Sequence, residues 1–572
     1  MTINLLAGSE AQSALGDHSF LIQWEKLYHS CAWATPFQSI GYVTTWYEVY
    51  QGRFDPFILC ESDDQGNLIG LLTLATDKNT GQITPAGAHQ AEYHVWLAAE
   101  QNGNAFIEHA LEAIKDQVKN AALMFKYLPP TAPISWLAAN TYWAQFAALV
   151  THRRPLVMLD DEVELSARLK RSSKKNRLNV LQQMGDVRFE QVQGEDKLAA
   201  LFDEIITLYD FRQGAVNNSL PFRDDPLKKR FHLALMRVPN LLHVTILKVG
   251  PQIAAAILGI QDHKEVALGI VAHSPFYARF SPGTLHLLML STELARQGYG
   301  ALDLTPGGDP WKERFANNHD QVCTLRLFFR SSLLRKHRRN EKLKSIVKKA
   351  ITICGLDPKN AMELISRVRR VRFSALSNGL HVLPKIVWSK VEYRIYVFSE
   401  QDAKKLDGSM LMKRNCLQDL IAFEPNEIWP TRQQFLSRCL ERIEAGESVY
   451  TLAEHGKLLH YGWLVECQAR AFFSEVQQEY AYPPNSASLC DFYTHLKARA
   501  RGFFQAALRQ MLHDAATIPG TEWIYISVLA HNAPARHVIE KLGFTYAQSI
   551  FKNTILGRTR RRMNELRIET KK

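Results

Sequence analysis

Residues 273–315 contain the clearest hydrophobic pattern of the chain. Apolar side chains at Leu285, Leu288, Met289 and Leu294 recur at the spacing of an α-helix, directly after a Ser-Pro-Gly-Thr turn. An apolar strand precedes this turn, and the short strand Ala-Leu-Asp-Leu follows the helix. The pattern predicts a strand, a turn, a helix, a strand and a Pro-started helix, in that order.

The N-terminal part of the chain has the mixed pattern of an α/β domain. Residues 20–50 carry apolar and aromatic side chains at mixed spacing, which predicts two helices separated at Pro36. Two apolar runs on either side of the polar residues 63–67 predict a β-hairpin. A further helix and two short strands are expected at 104–119, 121–128 and 155–160.

The alternation of helices and strands continues after residue 158. Residues 160–184 have helical periodicity with a basic central face, and a strand and a helix ending at Gly214 follow. Three strands come next, with turns at Gly250 and at residues 262–264. This alternation predicts an α/β fold with mixed sheets.

Beyond residue 330 the pattern changes twice. Basic side chains surround an amphipathic stripe and indicate a helical connector, with Pro384 before the next domain. The remaining chain predicts a strand, a helix closed by Gly446, a hairpin around residues 455–457 and two strand-helix pairs. We therefore expect a first lobe at 1–158, a second lobe at 159–330, a basic connector at 331–385 and a C-terminal domain at 386–572.

Composition adds constraints on class and location. A chain of 572 residues exceeds the size of a single core, and 46% hydrophobic with 22% charged residues is ordinary for soluble proteins. The formal net charge of +12, much of it in residues 335–350 and 558–562, favours acidic partners such as phosphate-bearing substrates. No apolar run reaches the roughly 20 residues of a membrane span, and no signal sequence is seen, so we expect a cytoplasmic protein.

The cysteine and histidine patterns exclude several chemistries. None of the eight cysteines has CxxC spacing, and neither a metal-ligand pattern nor a Ser-His-Asp pattern is present. We therefore expect no bound metal and no covalent intermediate.

The turn at Ser281, Pro282, Gly283 and Thr284 is a candidate anion site. A helix N-terminus has unpaired N–H groups and a partial positive charge, which suit a pyrophosphate. Gly283 allows close approach to the backbone, and Thr284 is a candidate cap. Arg279 is a candidate phosphate contact, with a solvated surface charge as the equal alternative. For the whole turn, the alternative is an ordinary connection between a strand and a helix.

Asp303 and Lys312 are the candidate catalytic residues. Asp303 ends an apolar strand, where a carboxylate beside a cleft can orient an acceptor or act as a base, and the alternative is a turn-forming role. Lys312 lies in the first turn of a helix, where the helix dipole disfavours a cation. An anionic ligand or a polarised acyl carbonyl is one reason for this lysine, and simple exposure is the alternative.

Taken together, these motifs resemble the acetyltransferase-like family of bacterial cellulose and exopolysaccharide loci (CelD/BcsL type), which is related to the FemAB peptidyltransferases within the GNAT class. The residues that carry the resemblance are Tyr277, Ser281 to Thr284, Leu285 to Leu290, Asp303, and Trp311 with Lys312. The resemblance extends loosely over residues 24–329. It implies tandem GNAT-like lobes (FemAB-like), an acyl-CoA donor, most often acetyl-CoA, and an amine or hydroxyl acceptor.

The resemblance also points to an acceptor site. The end of a helix at Tyr209 and Arg212 corresponds to the region that faces the acceptor in FemAB-like proteins. For Arg212 alone, a contact with the last carbonyls of that helix is the alternative. His94, after a Gly-containing loop of the first lobe, is a further candidate, with a core or turn role as its alternative. A small molecule such as an amino acid, a glycan, a lipid and a protein amine all stay open as acceptors.

The C-terminal domain resembles a GNAT domain directly. The matching positions are Arg499, Arg501 and Gly502 in the R/Q-x-x-G-x-G/A loop, and Asn532 with Leu542, Gly543 and Phe544 in the last helix and strand. They imply acyl-CoA binding. Phe504 stands where the family has a small residue, and Ile539 stands where many members have a general-acid tyrosine. These departures predict weak or specialised catalysis.

The leading functional hypothesis is an acyltransferase that uses acyl-CoA by direct attack of the acceptor. The alternatives are a FemAB-like transferase that uses aminoacyl-tRNA and a non-catalytic acyl-CoA-binding regulator. Residues 335–350 have three interpretations: a solvated helix face, contact with the inner face of a membrane, and nucleic-acid binding. Because no nucleic-acid motif is present, we expect no nucleic acid as a partner except tRNA in the alternative hypothesis.

Overall fold

The computed structural model describes residues 3–116, 122–138, 141–353, 388–406, 411–426, 428–555 and 558–564. Most of the predicted connector, with Pro384, lies outside these residues. The chain forms two compact units: residues 1–209 with 221–350, and residues 210–220 with 351–572. The four predicted domain boundaries stay a prediction.

The N-terminal part of the first unit is a five-stranded antiparallel sheet with four helices. Its order is β1-β2-β3-β4, with β5 paired to β3. The predicted hairpin is confirmed, because the Asp63 side chain accepts hydrogen bonds from the backbone N–H groups of Gln65 and Asn67 and closes the turn. The elements are β1 (Ile3–Ala7), α1 (Ser9–Gly16), α2 (His18–Ser30), α3 (Ile40–Tyr50), β2 (Phe54–Ser62), β3 (Leu68–Asp77), β4 (Ile83–Pro85), β5 (Leu97–Ala98) and α4 (Gly103–Ile114).

The rest of the first unit is built on an eight-stranded mixed sheet. Its elements are β6 (Ala122–Leu128), β7 (Ala147–Met158), α5 (Glu162–Lys170), α6 (Ser172–Met184), β8 (Val187–Gln191), α7 (Glu195–Asn217), α8 (Pro221–Asp224), α9 (Leu227–Arg237), β9 (Leu242–Val249), β10 (Gln252–Gln261), β11 (Glu265–His273), α10 (Pro282–Arg296), β12 (Ala301–Asp303), α11 (Pro310–Phe315), β13 (Asn318–Phe328) and α12 (Ser331–Ile353). The last residues of α7 and α12, 210–217 and 351–353, belong to the second unit. The strand order is β6-β13-β7-β12-β11-β10-β9-β8. Strands β6 and β7, from the predicted first lobe, therefore belong to this sheet, because β13 pairs with both.

One predicted helix is divided in the structure. Residues 160–184 form α5 and α6, separated by Arg171, whose backbone is extended at ψ 137°. Ser172 and Ser173 follow this break, and serine is a weak residue for a helix interior. Hydrophobic periodicity alone does not predict such a break in a helix.

The two central parallel strands of this sheet separate along their length. Strand β12 pairs with β11 over three residue pairs that end at Ala267 and Asp303. Strand β11 continues to His273 while still paired with β10. A wedge therefore opens between β11 and the chain that follows β12, and α10 connects its two edges.

The second unit repeats this plan in a second eight-stranded sheet. Its order is β15-β16-β17-β20-β21-β14-β22-β23, with β18 and β19 as a separate pair. The parallel pairing of β20 with β21 ends at Leu489 and Ile526, whereas β20 runs on to Thr494, so a second wedge opens between these two strands. The elements are β14 (Trp388–Ser399), α13 (Glu400–Ala403), β15 (Lys413–Arg414), α14 (Leu417–Ile421), α15 (Arg432–Glu444), β16 (Ser448–Glu454), β17 (Lys457–Val465), β18 (Arg470–Phe473), β19 (Gln478–Ala481), β20 (Ser486–Thr494), α16 (Phe503–Ala516), β21 (Trp523–Leu529), α17 (Ala533–Lys541), β22 (Thr545–Ile555) and β23 (Arg558–Met563).

Candidate active site

The Ser-Pro-Gly-Thr turn begins α10 at the end of the wedge strand β11. A 3₁₀ turn over Pro275–Phe280 leads into Ser281, which has φ 55° and is the N-cap residue. Pro282 occupies the first helical position, where its missing N–H group costs nothing. The expectation that Thr284 caps the helix is therefore wrong, because the helix already begins two residues before it.

The predicted donor residues lie together around this turn. The Arg177 Nη1 group donates to Ser281 Oγ at 2.9 Å. The Arg279 guanidinium lies 4.8 Å from the centre of the Phe280 ring. A Cβ atom at Gly283 would meet the His273 ring at 3.6 Å, which is an ordinary contact. The protein itself therefore has room for an alanine at position 283.

Basic side chains of α5 and α6 lie beside the turn. Burial lowers the pKa of Lys174, and the neighbouring charges of Arg168, Arg171 and Arg177 lower it further. Because like charges repel, an anion bound among these basic side chains would stabilise their charged forms. Sequence periodicity showed the basic face of this segment but not that it adjoins Ser281.

Asp303 lies where the wedge opens, and its side chain is 0% exposed. The Tyr93 hydroxyl donates to Asp303 Oδ2, and the Thr305 N–H group donates to Oδ1 at 2.7 Å. The Arg154 Nη1 group approaches Oδ2 at 3.4 Å. Burial raises the pKa of Asp303, and the Arg154 charge opposes this effect.

Arg154 links Asp303 to two further carboxylates. Its Nε group donates to Asp320 at 2.7 Å, and Nη1 lies 3.8 Å from Glu265. Burial and the charge of Asp303 raise the pKa of Glu265 to about 7. Arg154 and Glu265 were missed by sequence reasoning, because single charges within strands β7 and β11 carry no local motif.

Lys312 and Asp303 both form hydrogen bonds with Thr305. The Lys312 Nζ group donates to the Thr305 carbonyl at 3.0 Å and to Thr305 Oγ1 at 3.2 Å. Thr305 has φ 60° and is the same residue whose N–H group binds Asp303. The Lys312 side chain is 12% exposed, and burial lowers its pKa. The two predicted catalytic residues are therefore brought together around one backbone segment.

The acceptor candidates lie in three different settings. His94 is buried, its Nδ1 atom accepts from the Lys126 N–H group at 3.3 Å, and burial lowers its pKa to about 3. Tyr209 packs edge-on against Phe222, with ring centres 6.0 Å apart. Arg212 lies in the second unit, where it pairs with Glu444 at 3.5 Å. His94 is thus a neutral ring at neutral pH, next to the Tyr93 that binds Asp303.

The C-terminal loop has the predicted backbone but different side-chain partners. Gly502 has φ 79° and is the N-cap residue of α16. Arg501 pairs with Glu454 at 3.3 Å and lies 4.6 Å from the Phe503 ring centre. Arg499 ends the short 3₁₀ turn Leu496–Ala498 that precedes the loop. The loop therefore keeps its backbone turn, while one of its arginines already has an acidic partner.

The other positions singled out in the C-terminal domain have structural partners. Asn532 caps α17 by accepting from the Ala535 N–H group at 3.3 Å. The Phe504 ring packs edge-on against Phe492 at 5.0 Å, and Ile539 is fully buried in the core.

Two segments of the chain match family models. Residues 168–313 match an acetyltransferase (GNAT) domain, and residues 415–544 match the acetyltransferase (GNAT) family. Each match spans well under half of the chain and contains one of the two wedges. No curated protein matches.

Solved structures show low similarity to the chain. FemX is 10% identical, with 55% of this chain and 97% of FemX covered and a TM-score of 0.38. L-PGS from Bacillus licheniformis is 11% identical, with 55% and 92% covered and a TM-score of 0.33. A tandem GNAT protein from the clavulanic acid biosynthesis pathway is 11% identical, with 65% and 99% covered and a TM-score of 0.21.

The family matches and the sheet topology confirm the predicted fold class, a mixed α/β protein with GNAT-like domains, one matched at residues 168–313 and one at residues 415–544. A GNAT-like first lobe at 1–158 stays a prediction. The family matches support acyltransferase activity of the GNAT class. Within the described residues, no group of three His, Cys, Asp or Glu side chains is arranged to hold a metal ion. No helix in the described part of the chain is long and apolar enough to cross a membrane.

Proposed function

We propose that the first unit transfers an acyl group, acetyl above others, from acyl-CoA to an amine or hydroxyl acceptor. The observation that supports this most is the wedge between β11 and β12. It has a helix N-terminus at one edge and, where it opens, the Asp303 cluster, which consists of Asp303 with Tyr93, Arg154 and Thr305. When bound, acyl-CoA supplies the thioester carbonyl that the acceptor attacks.

The residues around Ser281 fit the anionic part of such a donor. The N-terminus of α10 offers backbone N–H groups, and Arg177, Lys174 and Arg279 add positive charge beside it. Placing phosphates among these cations relieves their mutual repulsion. In this proposal the compact ring of Pro282 and the absence of a side chain at Gly283 let a phosphate approach the backbone of the turn, and the Thr284 hydroxyl contacts that phosphate.

Lys312 and Asp303 take different roles in this proposal. Lys312 is the catalytic residue, because its ammonium group is held near the wedge and stabilises negative charge that develops on the acyl oxygen. Asp303 is fully buried and is saturated by Tyr93, Thr305 and Arg154, so it acts as a positioning residue. It fixes Thr305, and Thr305 in turn fixes Lys312.

The donor site is tested by calorimetric titration of the full chain with acetyl-CoA. Gly283→Asp adds a negative charge where the pyrophosphate is expected and should weaken binding by at least tenfold. Gly283→Ala is the matched control, since its Cβ atom meets His273 only at van der Waals distance. Unchanged affinity in a folded Gly283→Asp protein rejects this site.

The basic side chains of α5 and α6 also favour a second donor, aminoacyl-tRNA. Titration with charged tRNA at two salt concentrations separates the two donors, because a polyanion binds with a steep salt dependence. Binding of acyl-CoA without turnover on any acceptor would instead favour the regulatory alternative.

The acceptor and the location are proposals that rest on the sequence. The resemblance to the cellulose-associated family favours a glycan or lipid acceptor in the cytoplasm, with Tyr209, Arg212 and His94 as acceptor-site candidates. Contact with an anionic membrane surface is favoured by α12, where Leu343 and Ile346 are 55% and 62% exposed among basic residues. Sedimentation with anionic and with neutral vesicles tests this contact, and equal binding to both rejects it.

A further inference from the structure

The second unit contains a pocket that neither family match explains. It has a volume of about 150 Å³ and lies between α15 and strands β17 and β20. Its walls include the aromatic rings of Trp429, Phe435, Tyr461 and Tyr493. Tyr461 and Tyr493 are stacked with ring centres 5.4 Å apart, and the Trp429 Nε1 group donates to the Tyr461 hydroxyl at 3.2 Å. The rings therefore hold one another in fixed positions.

A bulge in β20 adds an acidic group to these rings. Tyr461 pairs with Tyr493, but Trp463 pairs with Cys490, so two residues of β20 lie opposite Gly462. Asp491 lies in this bulge with φ 50°. Side chains of a regular strand alternate between faces, whereas here three consecutive residues, Asp491, Phe492 and Tyr493, all line the pocket.

Arg442, which lines the pocket, and its two acidic partners carry a net negative charge. Arg442 is 5% exposed, lies 4.3 Å from the Trp463 ring centre and forms ion pairs with both Glu447 and Asp491. Two carboxylates thus share one guanidinium, which leaves one negative charge. Asp491 carries the accessible part of it, since its side chain is 62% exposed. The other lining cation, Arg438, pairs with Glu441 at 3.4 Å.

We propose that this pocket binds a small organic ammonium compound, with its positive charge against Asp491 and the aromatic rings. Aromatic faces attract a cation, and an adjacent carboxylate strengthens the attraction while disfavouring anions. The proposal goes beyond the transfer reaction of the first unit, because binding in the second unit requires no chemistry there.

The test is calorimetric titration of the full chain with choline, with its uncharged isostere in which a tert-butyl group replaces the trimethylammonium, and with butyrate. Choline should bind about tenfold tighter than the isostere, and butyrate should be weakest. Equal binding of choline and the isostere, tighter binding of butyrate, or no binding of choline overturns the proposal.

Variants locate the site within the chain. Asp491→Asn should weaken choline binding by about tenfold. Arg438→Gln, which removes a cation from the lining, should strengthen it by about threefold. Glu479→Gln is the control, since Glu479 is an exposed carboxylate on β19 outside the pocket. Unchanged choline affinity in Asp491→Asn also overturns the proposal, and if that variant does not fold, Tyr493→Leu must lose the binding instead.

Discussion

The two GNAT-like wedges of this chain share a backbone plan and differ in their side chains. In the first unit the parallel pairing ends at Ala267 and a buried Asp303, which is held by Tyr93 and Arg154. In the second unit it ends at Leu489 and Ile526, which belong to an apolar core.

The separation of two parallel strands can therefore end at titratable groups, as in the first unit, or at apolar core residues, as in the second unit. Polar groups at such a buried position are stable only with several partners, and the first unit provides them from three separate segments. In the second unit Phe504 and Ile539 pack in the same apolar core as Leu489 and Ile526. This difference supports the proposals of catalysis in the first wedge and of ligand binding in the second unit.

The largest effect is expected for Lys312→Ala. Loss of a donor to the developing negative charge should lower the acyl-transfer rate by about 10² to 10³-fold, with little change in stability. Arg314→Ala, two residues further along the same helix and exposed, is the control and should keep its rate. Full activity of Lys312→Ala would remove the distinction between the two wedges.

The next effect concerns stability and the Asp303 cluster. Asp303→Asn replaces a buried carboxyl group that binds Tyr93, Thr305 and Arg154, and it should lower the free energy of unfolding by about 3 kcal/mol, measured by denaturant titration. Asp186→Asn, an exposed carboxylate before β8, should change it by less than about 0.5 kcal/mol. Equal effects of the two substitutions would contradict the buried network.

A smaller effect is expected from the pH dependence of Glu265. Its folded-state pKa is about 7, above the ordinary value of 4.5, so the folded protein keeps a proton that the unfolded chain loses. This contribution to stability is complete below about pH 4.5 and is lost as the pH rises through about 7. Glu265→Gln should abolish this part of the slope when unfolding is measured from pH 5 to pH 8. A variant with the wild-type slope would show that another group titrates there.

The smallest effect is expected for Cys323→Ala. Cys323 lies on β13, near Thr151 at 3.8 Å and outside the Asp303 cluster, so the transfer rate should stay within about twofold of wild type. Strong inactivation would point to covalent catalysis and would shift attention away from Lys312.

Much of the local structure could be predicted from the sequence because it depends on short-range chemistry. The spacing of Leu285, Leu288 and Leu294 defines the face of α10, and Asp63 closes its hairpin through its own neighbours. The family matches confirm the fold class that these patterns predicted. The Pro-Gly turn was also placed correctly, although its cap residue was not.

The candidate site depends on contacts between residues far apart in the chain. Tyr93, Arg154 and Glu265 meet around Asp303 only because β7, β11 and β12 are neighbours in one sheet and the segment between β4 and β5 brings Tyr93 to them. No spacing rule connects such positions. The sequence by itself determined the elements and the residues with suitable chemistry, since periodicity and turn chemistry act within a few residues. Only the tertiary structure decided which of these residues are buried together, because strand pairing brings distant positions into contact. Burial beside these neighbours then shifts the pKa of each titratable group.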